Sequence, residues 1–241
     1  MEAAGAALPE LEELAAGYRD CDKIMALHAD LCAERGEPSF AVAELERAVS
    51  DASLSEITAR VLRLRLLKLY EACKMQDKAL ATTRALLKGK PTFLRVMEVP
   101  TRELLRKYKA FFAPEQWEAE RDKLFEEMQS KRVFCDCLVE EGLYERLYEH
   151  AVKAEKFEVP RYEGELMQVD PELVFSWYEE RILEEFEHAH DRKAYRSGVK
   201  SIVHVAQLPD GGKRAAKIAE ALRKKYPRKP TLLQELGKAG F

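Results

Sequence analysis

Apolar residues recur at helical spacing along almost the whole chain. Ala215, Ile218, Ala219, Leu222 and Tyr226 follow the i, i+3, i+4, i+7, i+11 series, and Val174, Tyr178, Ile182 and Phe186 stand four apart. Ile57, Val61, Leu64, Leu67 and Cys73 form another stripe, widened by Leu62, Leu66, Leu69 and Tyr70. A face that broad predicts contact on two sides.

The punctuation divides this pattern into helices of roughly 10–20 residues with short links, the rhythm of antiparallel helical pairs. The first runs from Pro9 to about Arg35, ended by Glu37-Pro38, and the second from Phe40 to about Val49. Ser53 with Glu56 three residues on reads as a capping box opening the third. Asp77 opens a partner helix closed by Gly89 and Pro91, and Thr92 to Met97 is a short helix or turn. Further helices are expected over Thr101 to Phe112, Pro114 to about Lys131, Val133 to Glu141 and Leu143 to about Lys156, with Gly142 as a turn. Phe157 to Val169 is the longest expected loop. Asp170-Pro171 has the form of an N-cap and first-turn proline. Helices follow from Asp191 to about Gln207, after the Leu208 to Gly212 turn as far as Pro227, and over Lys229 to Lys238. The valine-rich run Ser197 to Leu208 fits a helix face better than strict alternation, so no strand is predicted.

Three segments share an internal plan: LYEACKMQDKALATTRALLKGKP (Leu69 to Pro91), LVEEGLYERLYEHAVKAEKFEVP (Leu138 to Pro160) and VHVAQLPDGGKRAAKIAEALRKKYP (Val203 to Pro227). Each has a helix end, a tight polar turn, a helix with small or apolar residues every three to four positions, then a proline. Tetratricopeptide (TPR) repeats are built in this style, although the spacing here is not a strict 34-residue period. The expected fold is therefore all-α, with antiparallel helical pairs stacked as a TPR-like α-solenoid. A globular bundle is the alternative. Residues 1–241 read as a single TPR-like helical repeat domain that could divide near residue 113, into 1–112 and 113–241.

Composition agrees. Hydrophobic residues make up 46% of the 241 and charged residues 34%, with a formal net charge of −3. Glycine and proline, 11 and 10 residues, are too sparse for an all-β chain. The five cysteines, Cys21, Cys32, Cys73, Cys135 and Cys137, are odd in number and irregularly spaced. A reducing, cytoplasmic setting is expected from them rather than a disulfide framework. The N-terminus has neither a basic start nor an apolar core, and no run of 18 apolar residues occurs, so neither a secretory signal nor a membrane span is expected.

Candidate chemistry is thin. Cys135 and Cys137 lie two apart on a predicted helix, so their side chains diverge by about 200°; buried thiols are the expectation, not half of a zinc site. His150 stands alone. Glu184 and His188 share a helix face, but a helix C-terminus favours histidine on dipole grounds. His28 and His204 read as core or boundary residues. The GGKR run, Gly211 to Arg214, lacks the rest of a phosphate-binding loop. That motif needs glycine at position 207 and Ser or Thr at 214, where Gln207 and Arg214 stand, and a strand before it. A turn and helix start is expected there. No metal, cofactor or catalytic residue is predicted.

Charge is segregated. Residues 191–241 hold 13 basic and 4 acidic side chains, a net of +9, whereas Arg161 to His190 holds 2 and 9, a net of −7. The adjoining regions can neutralise each other within the chain, or the basic region can dock an acidic partner or nucleic acid. The candidate basic docking patch is Lys213, Arg214, Arg223, Lys224, Lys225, Arg228 and Lys229. Exposed aromatics that could stack on bases are not obvious near it.

The last third carries a family resemblance. The tail reads Tyr226, Arg228, Pro230, Leu232, Leu233, Glu235, Leu236, Ala239, Gly240, with AYR at Ala194 to Arg196 and LYERLYEHAVKAEK at Leu143 to Lys156. This is similar to the C-terminal helical region of bacterial SWIM zinc finger family proteins. The resemblance spans roughly 100 residues and rests on packing motifs. In that family the finger is an N-terminal Cys-x-Cys…Cys-x-His module, and no Cys-x-His occurs here. The resemblance implies a helical interaction region without the finger, either a fragment or a stand-alone relative. The expected function is a non-enzymatic helical-repeat scaffold that binds a protein partner. The alternative is a nucleic-acid-associated domain using the basic region, which no motif supports. A membrane partner is not expected.

Overall fold

Ser55 opens the helix that follows it by accepting a hydrogen bond from the Thr58 backbone N–H at 3.1 Å. Local choices of this kind set the element boundaries. A computed structural model describes residues 38–50, 54–89, 100–154 and 157–241, with positions 27, 29, 31, 32, 35 and 36. Most of the expected helix over Pro9 to Arg35, together with Ser53 and Thr92 to Met97, lies outside the described residues. Every regular element among those residues is helical. The chain forms two compact units, Met1–Glu141 and Gly142–Phe241. The link near residue 113 falls inside the first.

In the first unit, α1 (Pro38–Val49), α2 (Glu56–Ala72) and α3 (Gln76–Lys88) pack in sequence, followed by α4 (Thr101–Lys109), α5 (Pro114–Glu127) and α6 (Lys131–Glu140). The broad stripe of α2 is buried between α1 and α3, with Leu62, Leu66 and Leu67 almost fully enclosed. Arg60 is buried in that stripe, and its Nη1 donates to the Leu86 carbonyl at 2.7 Å. A cation there answers the free carbonyls of the last turn of α3. Glu46 of α1 joins three helices, accepting from Tyr70 Oη at 2.6 Å and Lys78 Nζ at 2.7 Å.

Two sequence expectations change here. The Ser53–Glu56 capping box gives way to Ser55 as the cap, so Glu56 is the first helical residue rather than the third. Ile57 consequently sits in an exposed first turn, 48% accessible, not on the buried stripe.

The second unit contains α7 (Tyr144–Lys153), a 3₁₀ turn at Val159–Arg161, α8 (Glu163–Val169), α9 (Pro171–His188), α10 (Arg192–Gln207), α11 (Gly211–Lys225) and α12 (Pro230–Lys238). The expected loop over Phe157 to Val169 is thus mostly helical. Val159, Tyr162 and Leu166 follow helical spacing and are buried, and that burial outweighs the turn signals of Pro160 and Gly164. Asp170 and Asp191 cap α9 and α10, accepting from Glu172 N–H at 3.0 Å and Ala194 N–H at 2.8 Å. Among the described residues, helices in substantial contact are never more than two elements apart along the chain; α9 touches both α10 and α11, and α10 touches α12.

Candidate functional site

The basic residues singled out in the sequence fall on α11 and the link after it. Lys213 and Arg214 are in its first turn, Arg223 to Lys225 in its last, and Arg228 and Lys229 precede α12. At 1.5 Å per residue the two groups of cations on α11 stand about 16 Å apart along its axis, so these cations form no single cluster. Five of the seven have partners. Arg214 pairs with Glu172, its guanidinium 5.4 Å from the centre of the Phe175 ring. Lys225 Nζ meets Glu187 at 2.6 Å, and Lys224 meets Glu220 at 2.7 Å. Arg223 donates to the backbone oxygen of Phe241. Lys229 reaches the Ala189 carbonyl at 3.4 Å and lies 4.3 Å from the Tyr226 ring centre. Lys213 and Arg228 have no ion-pair partner among the described residues. The hydrogen bond from Lys225 holds the Glu187 carboxyl below its ordinary value, and the same bond raises the Lys225 ammonium. Glu172 and Glu187 belong to the acidic stretch, so two of its nine acids pair with the basic region within the fold.

The cysteines stand in α6. Cys135 and Cys137 are both buried, 2% and 0% exposed, despite pointing in different directions, because Val133, Leu138 and Val139 are buried on the same helix. Burial pushes the Cys137 thiol far above its ordinary value. A nucleophile or a thiolate ligand needs the reverse. His150 lies edge-on to Phe157, with centroids 6.2 Å apart. Glu184 takes Arg181 as its partner at 3.0 Å, and His28 lies outside the described residues. No group of three or more His, Cys, Asp or Glu able to hold a metal occurs among the described residues.

A constellation that the sequence does not signal lies in the second unit. Glu163 Oε2 accepts from Tyr178 Oη at 2.6 Å and meets His204 Nε2 at 2.7 Å. The Tyr178 and His204 rings are 5.4 Å apart. One carboxylate thereby ties α8 to α9 and α10. Burial, reinforced by the Glu163 bond, raises the Tyr178 phenol far above its ordinary value, so it serves as a donor rather than a base. His204 is half-exposed, the boundary rather than the core of the two positions expected for it. Glu163 stands where the sequence predicts a loop, which hides its role.

Two hollows flank this constellation. One, about 360 Å³ between α10 and α12, includes Arg196, Lys200, His204 and Lys238. Its buried acid, Glu235, accepts from Arg192 at 2.9 Å, Arg196 at 3.1 Å and Lys238 at 3.2 Å. Burial raises the Glu235 carboxyl, but the bonds from Arg196 and Lys238 outweigh it and hold the group below its ordinary value. The other is a half-open groove of about 630 Å³ between α8, the start of α9 and the α10–α11 turn. Mainly apolar surface lines it, including Met167, Phe175 and Leu208, with Glu163, Glu172 and Asp210 among its acids. Its volume is that of a site for a small molecule or a few side chains. Comparison with protein-family models, with curated proteins and with solved structures finds no match.

Proposed function

We propose that this protein is a non-enzymatic scaffold whose helical pairs stack in TPR-like fashion within each unit and whose second unit binds a segment of a protein partner. The 630 Å³ groove of α8, α9 and the α10–α11 turn carries this reading: it is apolar, half-open and held in shape by the Glu172–Arg214 pair and the Glu163 hydrogen bonds. Contact between helices one and two elements apart supports the stacking, since a repeat that cannot bury its own face must lie on its neighbours. Kinship with the helical regions of SWIM zinc finger proteins is part of the same proposal. The nucleic-acid alternative draws on seven cations, five of which are already engaged. To revive it would take salt-dependent binding of labelled DNA or RNA at about 50 mM salt.

The test is a selection of displayed random dodecapeptides on the full chain. Enriched peptides should compete for one site and lose affinity when Met167→Ala truncates the groove lining. A selection that enriches nothing, or binders indifferent to Met167→Ala, overturns the proposal.

A further inference from the structure

We infer that the groove selects a segment bearing a large apolar side chain next to a basic one; this rests on the groove being the peptide site proposed above. Three carboxylates line it, Glu163, Glu172 and Asp210, against a single cation, Arg214. Arg214 is neutralised by Glu172, which leaves a net negative lining. Asp210 has no ion pair or hydrogen bond from its side chain among the described residues, although it sits at the head of α11 with a left-handed φ of 59°. Glu163 uses only Oε2 for Tyr178 and His204, so Oε1 is without a partner among the described residues. Free acceptors beside an apolar surface complement an arginine or lysine whose aliphatic stem covers Met167 or Leu208 while its head reaches a carboxylate. An acidic segment would meet the same carboxylates as like charges and be rejected.

The probes are three fluorescein-labelled decapeptides with a central leucine, identical except that the residues flanking it are Arg, Gln or Glu. They are titrated against the full chain by anisotropy. The Arg peptide should bind about fivefold more tightly than the Gln peptide, the size of one or two half-exposed ion pairs, and the Glu peptide most weakly. Raising the salt should erase that order. Asp210→Asn, a residue that tolerates left-handed φ, should weaken the Arg peptide about threefold and leave the Gln peptide unchanged. Equal affinities, a reversed order, no binding of any of the three, or indifference to Asp210→Asn overturns the inference. If the dodecapeptide selection still yields Met167-dependent binders in those cases, the groove stands as a peptide site and only its charge preference falls.

Discussion

Gly211 and Gly212 are neighbours at the start of α11, yet adding the same methyl group to each should have opposite effects. A Cβ on Gly211 would stand 1.8 Å from the Val205 carbonyl oxygen and 3.0 Å from its carbon. Ordinary carbon contacts lie at about 3.5–4.0 Å, so one backbone must move by well over an ångström. Val205 is fully buried and its carbonyl closes the end of α10 by accepting from Leu208 N–H at 3.2 Å, so that atom is fixed. Overpacking costs about 1–3 kcal/mol, and a rigid backbone obstacle places Gly211→Ala near the top, at about 3 kcal/mol. A Cβ on Gly212 meets nothing within 4 Å, and Gly212 is not among the left-handed glycines. Gly212→Ala should therefore stabilise by about 0.4–1 kcal/mol through reduced freedom of the unfolded chain. For a unit of this size each kcal/mol shifts the midpoint by about 4–8 °C, so Gly211→Ala should lower Tm by roughly 12–24 °C and Gly212→Ala raise it by roughly 2–8 °C. Thermal melts of the full chain by circular dichroism read both. A Gly211→Ala variant that melts with the parent, or a Gly212→Ala variant that falls beside it, refutes the argument. The result also decides what the GGKR run is for: in this fold its first glycine lets a turn pass close under α10.

Three further outcomes are expected. Gly198→Ala would bring a Cβ to 2.6 Å from the ring of fully buried Phe186; overpacking of about 1–3 kcal/mol should outweigh a helix-propensity gain of about 1 kcal/mol, and urea unfolding that shows a net gain would contradict it. Replacing Cys135 and Cys137 together by alanine should cost about 1–3 kcal/mol, and in the native protein both thiols should resist alkylation mapped by mass spectrometry, which prompt labelling of either would disprove. The Glu46 carboxyl is held below 4.5 by hydrogen bonds from Lys78 and then Tyr70. Its contribution is therefore present in full above that pH and lost as pH falls through the lower folded value, so the deficit of Glu46→Gln should shrink on acidification; a pH-independent deficit in denaturant titrations counts against it.

The long helices were legible because their apolar period is sustained: Val174, Tyr178, Ile182 and Phe186 are all buried on α9, and Asp170 caps it as the sequence suggests. What the sequence obscured lies at short elements and at partners distant in the chain. In α8, Pro160 and Gly164 speak for a loop, and only burial of Val159, Tyr162 and Leu166 decides for helix. Ser53 and Ser55 are both plausible caps by composition, and a shift of two residues moves Ile57 out to solvent. Arg60 sits inside an apolar stripe that gives no hint of the Leu86 carbonyl 26 residues away. His204 reads as a core or boundary residue because its own helix is apolar, and the fold places it at the boundary, while its partner Glu163 comes from an element the sequence does not display.

The segregated charge has a topological consequence. Glu172, at the start of α9, meets Arg214 at the start of α11, and Glu187, at the end of α9, meets Lys225 at the end of α11. The two helices therefore run parallel, with α10 returning between them, as every second helix does in a stack of hairpins. Exposed pairs of this kind contribute about 0–1 kcal/mol each, too little to dominate the stability of the unit. They do not choose the direction of α11 either, because a reversed helix would still oppose acid to base. Direction is set by the tight turn at Asp210 and Gly211, where Gly211 N–H returns to the Leu208 carbonyl at 2.9 Å. What the charges accomplish is to pair the two ends of α9 with the two ends of α11. Two of the cations behind the net +9 of residues 191–241 are thereby paired with acids of α9, and the groove beside Arg214 is left negative rather than positive.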